Sequence, residues 1–171
     1  AQLNASGGIS YLWTPSGTLS DDTINNPEAF PTDTTDYIVT ITDANACIGT
    51  DTVTVVVNPL PTVDAGNNTA ICINDSIQLN ATGGDIYAWS PNDSISDTTL
   101  FNPIAWPITD TEYFVSVTDS NGCINSDSVT ISINPLPVVS AGDDDTICLG
   151  EFAQLIGTGA INYLWSPADS L

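Results

Sequence analysis

Four cysteines (Cys47, Cys72, Cys123 and Cys148) and 21 acidic residues are the groups of this 171-residue chain with the most obvious chemistry. There is no Lys, Arg or His, so the formal charge is −21. General acid–base work would fall to carboxylates alone, and a two-carboxylate glycosidase is the one common enzyme class the composition permits. No Ser–His, Cys–His, phosphate-loop or thiolate–zinc arrangement can be assembled from these residues. The acidic residues sit in loops that recur along the chain, and catalytic sites are not usually duplicated that way, so a protein that is not an enzyme is expected.

Carboxylates also suit calcium, a hard cation that takes oxygen ligands. Asp143-Asp144-Asp145 form one run, and Asp75 and Asp110 are expected at the facing pole of the preceding repeat. These five are the candidate calcium ligands, and calcium the candidate cofactor. Solvated loops are the alternative, because the middle repeat has Asn67-Asn68-Thr69 where the acidic run would be. Asp43 and Asp119 precede tight turns and read as Asx-turn formers.

The charge also limits partners. Binding nucleic acid depends on Lys and Arg neutralising phosphates, so nucleic acid is excluded, and anionic membrane surfaces with it. Self-repulsion must be met by screening or bound cations. Apolar residues make up 42% of the chain, rich in Val, Ile, Thr and aromatics, which argues for folded β-structure over disorder. No signal peptide, membrane span or anchoring tail is visible. An extracellular, salt-rich setting fits, and the lack of Lys and Arg also removes trypsin sites.

What positions these groups is an internal repeat. Asn58-Pro59-Leu60-Pro61 returns as Asn134-Pro135-Leu136-Pro137, which sets the period at 135 − 59 = 76. Trp13, Trp89 and Trp165 keep that interval, as do Tyr37 and Tyr113, Cys47 and Cys123, and Cys72 and Cys148. The predicted organisation is a truncated repeat over 1–58, a complete one over 59–134, and a truncated one over 135–171. The equivalence of Gln2, Gln78 and Gln154 suggests a window on a longer array. Each Pro-Leu-Pro step is a short, stiff, extended joint, since Pro fixes φ and donates no hydrogen bond. Leu60 and Leu136 either seal neighbouring repeats together or stand exposed.

Within the middle repeat, strands are predicted over 62–72 (kinked at Ala65-Gly66), 77–82, 86–90, 111–118 and 123–133, with one or two short edge strands between. Asp119-Ser120-Asn121-Gly122 makes a tight hairpin. In the first repeat Ala46 replaces the glycine, which should loosen that hairpin. Helical periodicity is absent. The fold class is therefore all-β: tandem immunoglobulin-like antiparallel sandwiches. Trp13, Trp89, Trp165, Tyr37 and Tyr113 are the predicted core, with Tyr113 placed as a tyrosine corner would be.

An extracellular setting favours disulfides. Cys72 should lie at one pole of its domain and Cys123 at the other, which argues against pairing them. The expected alternative joins the Cys72-type residue to the Cys123-type residue of the following repeat. An intradomain Cys72–Cys123 bond and free or intermolecular thiols remain open.

The hairpin Thr118-Asp119…Asn121-Gly122-Cys123, the closing run Val129-Thr130-Ile131-Ser132-Ile133-Asn134-Pro135, and Gln78-Leu79-Asn80-Ala81-Thr82-Gly83-Gly84 resemble the PKD-like and immunoglobulin-like repeats of very large Bacteroidota surface proteins. The resemblance covers the whole chain. It implies a secreted adhesin or gliding-associated protein, often exported by the type IX system. Asp-Ser/Thr-apolar triplets at Thr23, Thr52, Ser76, Ser94, Ser128, Thr146 and Ser170 resemble the O-glycosylation signal of that phylum.

The expected work is mechanical: a segment of a surface adhesin or extracellular filament that projects, spans or assembles with copies of itself or with neighbouring repeats. The rival is a module that binds surface glycans through Trp106, Phe101 or Phe30, although these residues could equally serve edge packing.

Overall fold

The computed structural model describes residues 1–167, and among them there is no helix. The chain divides into two compact units. One holds Ala1–Thr62 with Thr118–Asn125, and the other holds Val63–Val117 with the described residues from Ser126 onward.

In the first unit, β1 (Ser10–Thr14), β2 (Thr35–Thr42) and β3 (Ile48–Val55) form an antiparallel sheet in that order. Period-two alternation turns Tyr37 and Val39 inward, where they join Leu3, Trp13 and Ala29 in a buried cluster. The Trp13 indole N–H donates to the Ile24 carbonyl at 2.9 Å, so burying the ring leaves no polar atom unpaired.

In the second unit, β4 (Thr69–Cys72), β5 (Ile77–Gln78), β6 (Ile86–Ser90), β7 (Ile104–Ala105), β8 (Thr111–Thr118) and β9 (Ile124–Asn134) make two sheets, β4-β9-β8-β6 and β5-β7. β4 runs parallel to the end of β9, from Thr69 opposite Ile131 to Cys72 opposite Asn134. This strand order, with the opening strand leaving one layer to flank the last, is immunoglobulin-like. Trp89, Tyr113, Val115, Val117, Val129 and Ile131 form the centre of the core, joined by Ala65, Leu79, Ala81, Ile95 and Ala105. Trp89 repeats the arrangement of Trp13, its indole N–H donating to Leu100 O at 2.9 Å. Burying about 200 Å² of indole at about 25 cal/mol per Å² contributes about 5 kcal/mol before entropy is counted.

The sequence places β6 and β8 to the residue, because Pro91 closes one and strict alternation marks the other. Two other strands are shorter than expected. The span 62–72 splits: Asp64 bridges to Thr82, Gly66 turns at φ 89°, and only Thr69–Cys72 pairs with β9. The span 77–82 contributes two ladder residues, since its partner contains Pro103. Leu79 and Ala81 still donate to Pro103 O (2.9 Å) and Phe101 O (2.8 Å), but Pro103 has no N–H to return.

Three further expectations are corrected. Ala46 does not loosen its hairpin. It takes φ 61°, and its N–H reaches Asp43 O at 3.1 Å, against 3.0 Å for Gly122 to Asp119 O. The cost falls on backbone strain instead. Tyr113 makes no local corner: its hydroxyl reaches Ser94 O at 3.3 Å and Asp93 O at 3.5 Å, 19 and 20 residues upstream. Trp165 is half-buried rather than core. Among the described residues, the segment after the second joint pairs through a single bridge, Ser140 to Thr158, and nothing there corresponds to the Tyr113 and Ile131 that cover Trp89.

Candidate functional site

The carboxylates act first on the backbone. Asp119 Oδ1 accepts from Asn121 N–H at 2.9 Å and from Cys123 N–H at 2.8 Å; Asp43 repeats this with Asn45 and Cys47, both at 2.8 Å. Both are Asx turns. The Cys47 and Asn45 amides hold the Asp43 carboxyl below the usual range. At Asp119 desolvation opposes, yet the amides of Cys123, Asn121 and Gly122 prevail and the net shift is also downward. Asp21 is lowered by the Thr23 hydroxyl and amide, and Asp97 by the Thr99 amide and hydroxyl, with matching distances of 2.8 Å to each amide and 2.7 Å to each hydroxyl. Tyr113 shifts the other way, its phenol raised by desolvation and then by the charge of Asp93.

Some side chains that bind the sandwich together carry no motif to mark them. Asp127 Oδ2 accepts from the buried Ala65 N–H at 2.9 Å, and that amide with Ser128 N–H lowers its carboxyl. Asn68 Oδ1 accepts from Thr130 N–H at 2.8 Å, supplying an acceptor where β9 has not yet met β4. Ser128 Oγ donates to Glu112 across β8 and β9 at 2.8 Å.

The calcium candidates do not assemble. Among the described residues no three acidic or cysteine side chains converge on a point that could hold a metal. Asp110 spends its carboxylate on Ile133 N–H at 2.7 Å, and Asp145 on Thr146 N–H at 2.7 Å. Asp75, Asp143 and Asp144 are exposed. With no Lys or Arg available, these carboxylates take backbone amides as partners.

All four cysteines are free thiols; Cys47, Cys72 and Cys148 are exposed and Cys123 is half-buried. The intradomain alternative, Cys72 with Cys123, meets a geometric obstacle. Cys72 faces Asn134, the last residue of β9, while Cys123 precedes the first. The 11 residues of β9 extend over about 36 Å, and a disulfide needs Cα atoms within about 7 Å.

The Asp-Ser/Thr-apolar triplets have a structural use. The apolar member turns inward at Ile95 and Val129, and the carboxylate accepts from the following amide at Asp51–Thr52, 2.8 Å, and Asp145–Thr146. Thr23, Thr52, Ser76 and Thr146 are exposed, whereas Ser94 and Ser128 are half-buried. Ser170 lies outside the described residues. Among the aromatics, Phe30, Phe101 and Trp106 are 61%, 52% and 45% exposed, so none is sealed by edge packing, although Phe101 tilts against Tyr87 with ring centroids 6.2 Å apart. Leu60 and Leu136 also stand exposed.

No protein-family profile matches this chain, and no curated protein sequence matches it. Solved structures with a similar arrangement include three N-terminal domains of the highly immunogenic outer capsid protein (Hoc) of bacteriophage RB49. Identity is 18% over 94% of this chain and 61% of that one, with a TM-score of 0.44. Extracellular cadherin domains 1–4 of protocadherin gamma B7 share 12% identity over 80% of this chain and 46% of that one, TM-score 0.35. Murine CEACAM1b shares 16% identity over 73% and 85%, TM-score 0.33. The chain thus spans less than two thirds of the first two structures. The likeness is one of fold, and no activity, ligand or partner passes to this chain from it. No helix among the described residues is long and apolar enough to cross a membrane.

Proposed function

We propose that the chain is a non-catalytic, mechanical segment of a secreted surface adhesin or extracellular filament: a tandem array of 76-residue immunoglobulin-like repeats, with boundaries at 58/59 and 134/135. The observation that carries the reading is that the same bonds recur at that period. The Trp13 and Trp89 indoles, the Asp43 and Asp119 turns and the Asp21 and Asp97 clasps repeat with matching donor–acceptor distances. What is repeated is scaffold, not a reactive constellation. The joint sequence, the absence of cations and the resemblance to Bacteroidota surface repeats support an extracellular, type IX-secreted origin. The chain's partners would be neighbouring repeats or copies of itself. Electron microscopy of a multi-repeat chain, in calcium and then in chelator, tests this. Beaded or fibrous particles whose length scales with repeat number are expected; compact particles of constant size would refute it. Fibres that disperse in chelator would assign calcium a role at lateral contacts.

A second reading, glycan binding, is favoured by the exposure of Trp106 and Phe30 at equivalent positions. Loss of sugar affinity on Trp106→Ala, with unchanged folding, would establish it.

A further inference from the structure

The two kinds of cysteine meet at the same residue of the joint once the 76-residue register is applied. Cys72 pairs in register with Asn134, and the next amide, Ile73 N–H, donates to Asn134 O at 2.9 Å. Asn134 opens the second Asn-Pro-Leu-Pro joint, and one period earlier stands Asn58, since 134 − 76 = 58. The Asn58 carbonyl accepts from Cys123 Sγ at 4.0 Å, and Asn125 Nδ2 donates to Pro61 O at 3.0 Å, all within the first unit. A joint asparagine is therefore flanked by a Cys72-type residue in one direction and approached by a Cys123-type thiol from the other. Paired strands lie about 4.8 Å apart, and disulfide Cα atoms lie about 4.4–6.8 Å apart, so one residue's width suits the bond.

We propose that each Asn-Pro-Leu-Pro joint is a disulfide site, in which the Cys72-type thiol of one repeat bonds to the Cys123-type thiol of the next. This rests on the tandem-repeat reading above. The bond forms by exchange with a small-molecule disulfide. One protein thiolate attacks it to give a mixed disulfide, and the second protein thiolate displaces the remaining small-molecule thiol. The two protein thiols lose two electrons and two protons, one S–S bond forms in the protein, and two small-molecule thiols leave. The joint then carries a covalent clasp beside its peptide connection and cannot hinge freely.

Between repeats the bonded cysteines differ in sequence number by 123 + 76 − 72 = 127. The 171-residue chain contains the Cys72-type and Cys123-type residues but no pair at that separation. The test is the full chain with residues 59–134 occurring twice in succession, in two forms. In both, Cys47 and Cys148 are replaced by Ser. One form keeps only Cys72 of the first copy and Cys123 of the second. The other keeps only Cys72 and Cys123 of the first copy. Each is incubated with oxidised glutathione, then read by intact mass, thiol alkylation and non-reducing peptide mapping, with circular dichroism reporting folding. The expected result is an intramolecular disulfide, a mass lower by two hydrogens, in the first form only. A folded first form whose thiols both remain alkylatable, or equal oxidation of the second form, overturns the clasp alone. A duplicated chain that loses its β-signature overturns the tandem-repeat reading and the clasp with it.

Discussion

At the level of single residues, Asp43 and Asp119 are the most informative. Each collects two amides across its hairpin, and the residue completing the turn must adopt positive φ, Gly122 at 79° and Ala46 at 61°. An L-residue pays about 1–2 kcal/mol for that conformation, partly offset by its smaller loss of chain entropy relative to glycine. Ala46→Gly should therefore raise stability by about 0.5–1 kcal/mol and Gly122→Ala should lower it by a similar or larger amount, read as shifts of the urea midpoint. These carboxylates also set a pH dependence. Asp21, Asp43, Asp97, Asp119 and Asp127 all have folded values lowered from 3.8. Their stabilisation is fully present above the unfolded value and is lost as pH falls through the lower folded one. Protonation elsewhere relieves repulsion, so the difference between wild type and an Asp43→Asn/Asp119→Asn variant is the informative quantity. From pH 5 down to pH 2 the variant's urea midpoint should depend less steeply on pH; parallel curves would show that the turns do not titrate.

At the level of elements, β9 depends on side chains for part of its edge. β4 covers only Ile131 to Asn134, and upstream the links are Asn68 to Thr130 and Asp127 to Ala65. Removing the Asp127 acceptor strands a buried amide, which costs about 1–3 kcal/mol. Asp127→Ala should destabilise by that amount in chemical denaturation, and Asp127→Asn, which keeps an oxygen, by less. A neutral Asp127→Ala would show that water satisfies Ala65. These links also explain what the residues did and did not disclose. Alternation placed β8, and Pro91 placed the end of β6, because both signals are local. The splitting of the opening strand depends on which sheet Thr69–Cys72 joins, a long-range choice that no local pattern carries. Asp127 and Asn68 were illegible for the same reason: their partners lie 62 residues away. Trp165 was misplaced because period alone says where a core residue belongs, not whether the strands that cover it are present.

At the level of the molecule, composition and period together account for the architecture. Without Lys or Arg, backbone amides replace salt-bridge partners, and the buried core contains no charged residue among those described. Stability in such an array is expected to be local to each repeat plus its neighbour contacts, so domains should yield one at a time. The central claim is that the chain works as a series of mechanically separate 76-residue domains. Single-molecule force spectroscopy on a chain carrying several repeats, held in reducing buffer, tests it most directly. The expected trace is a sawtooth with uniform steps, each releasing roughly 250–270 Å of contour before subtraction of the folded length, at about 3.3–3.6 Å per residue. A featureless extension, or one large step scaling with the whole chain, would contradict it.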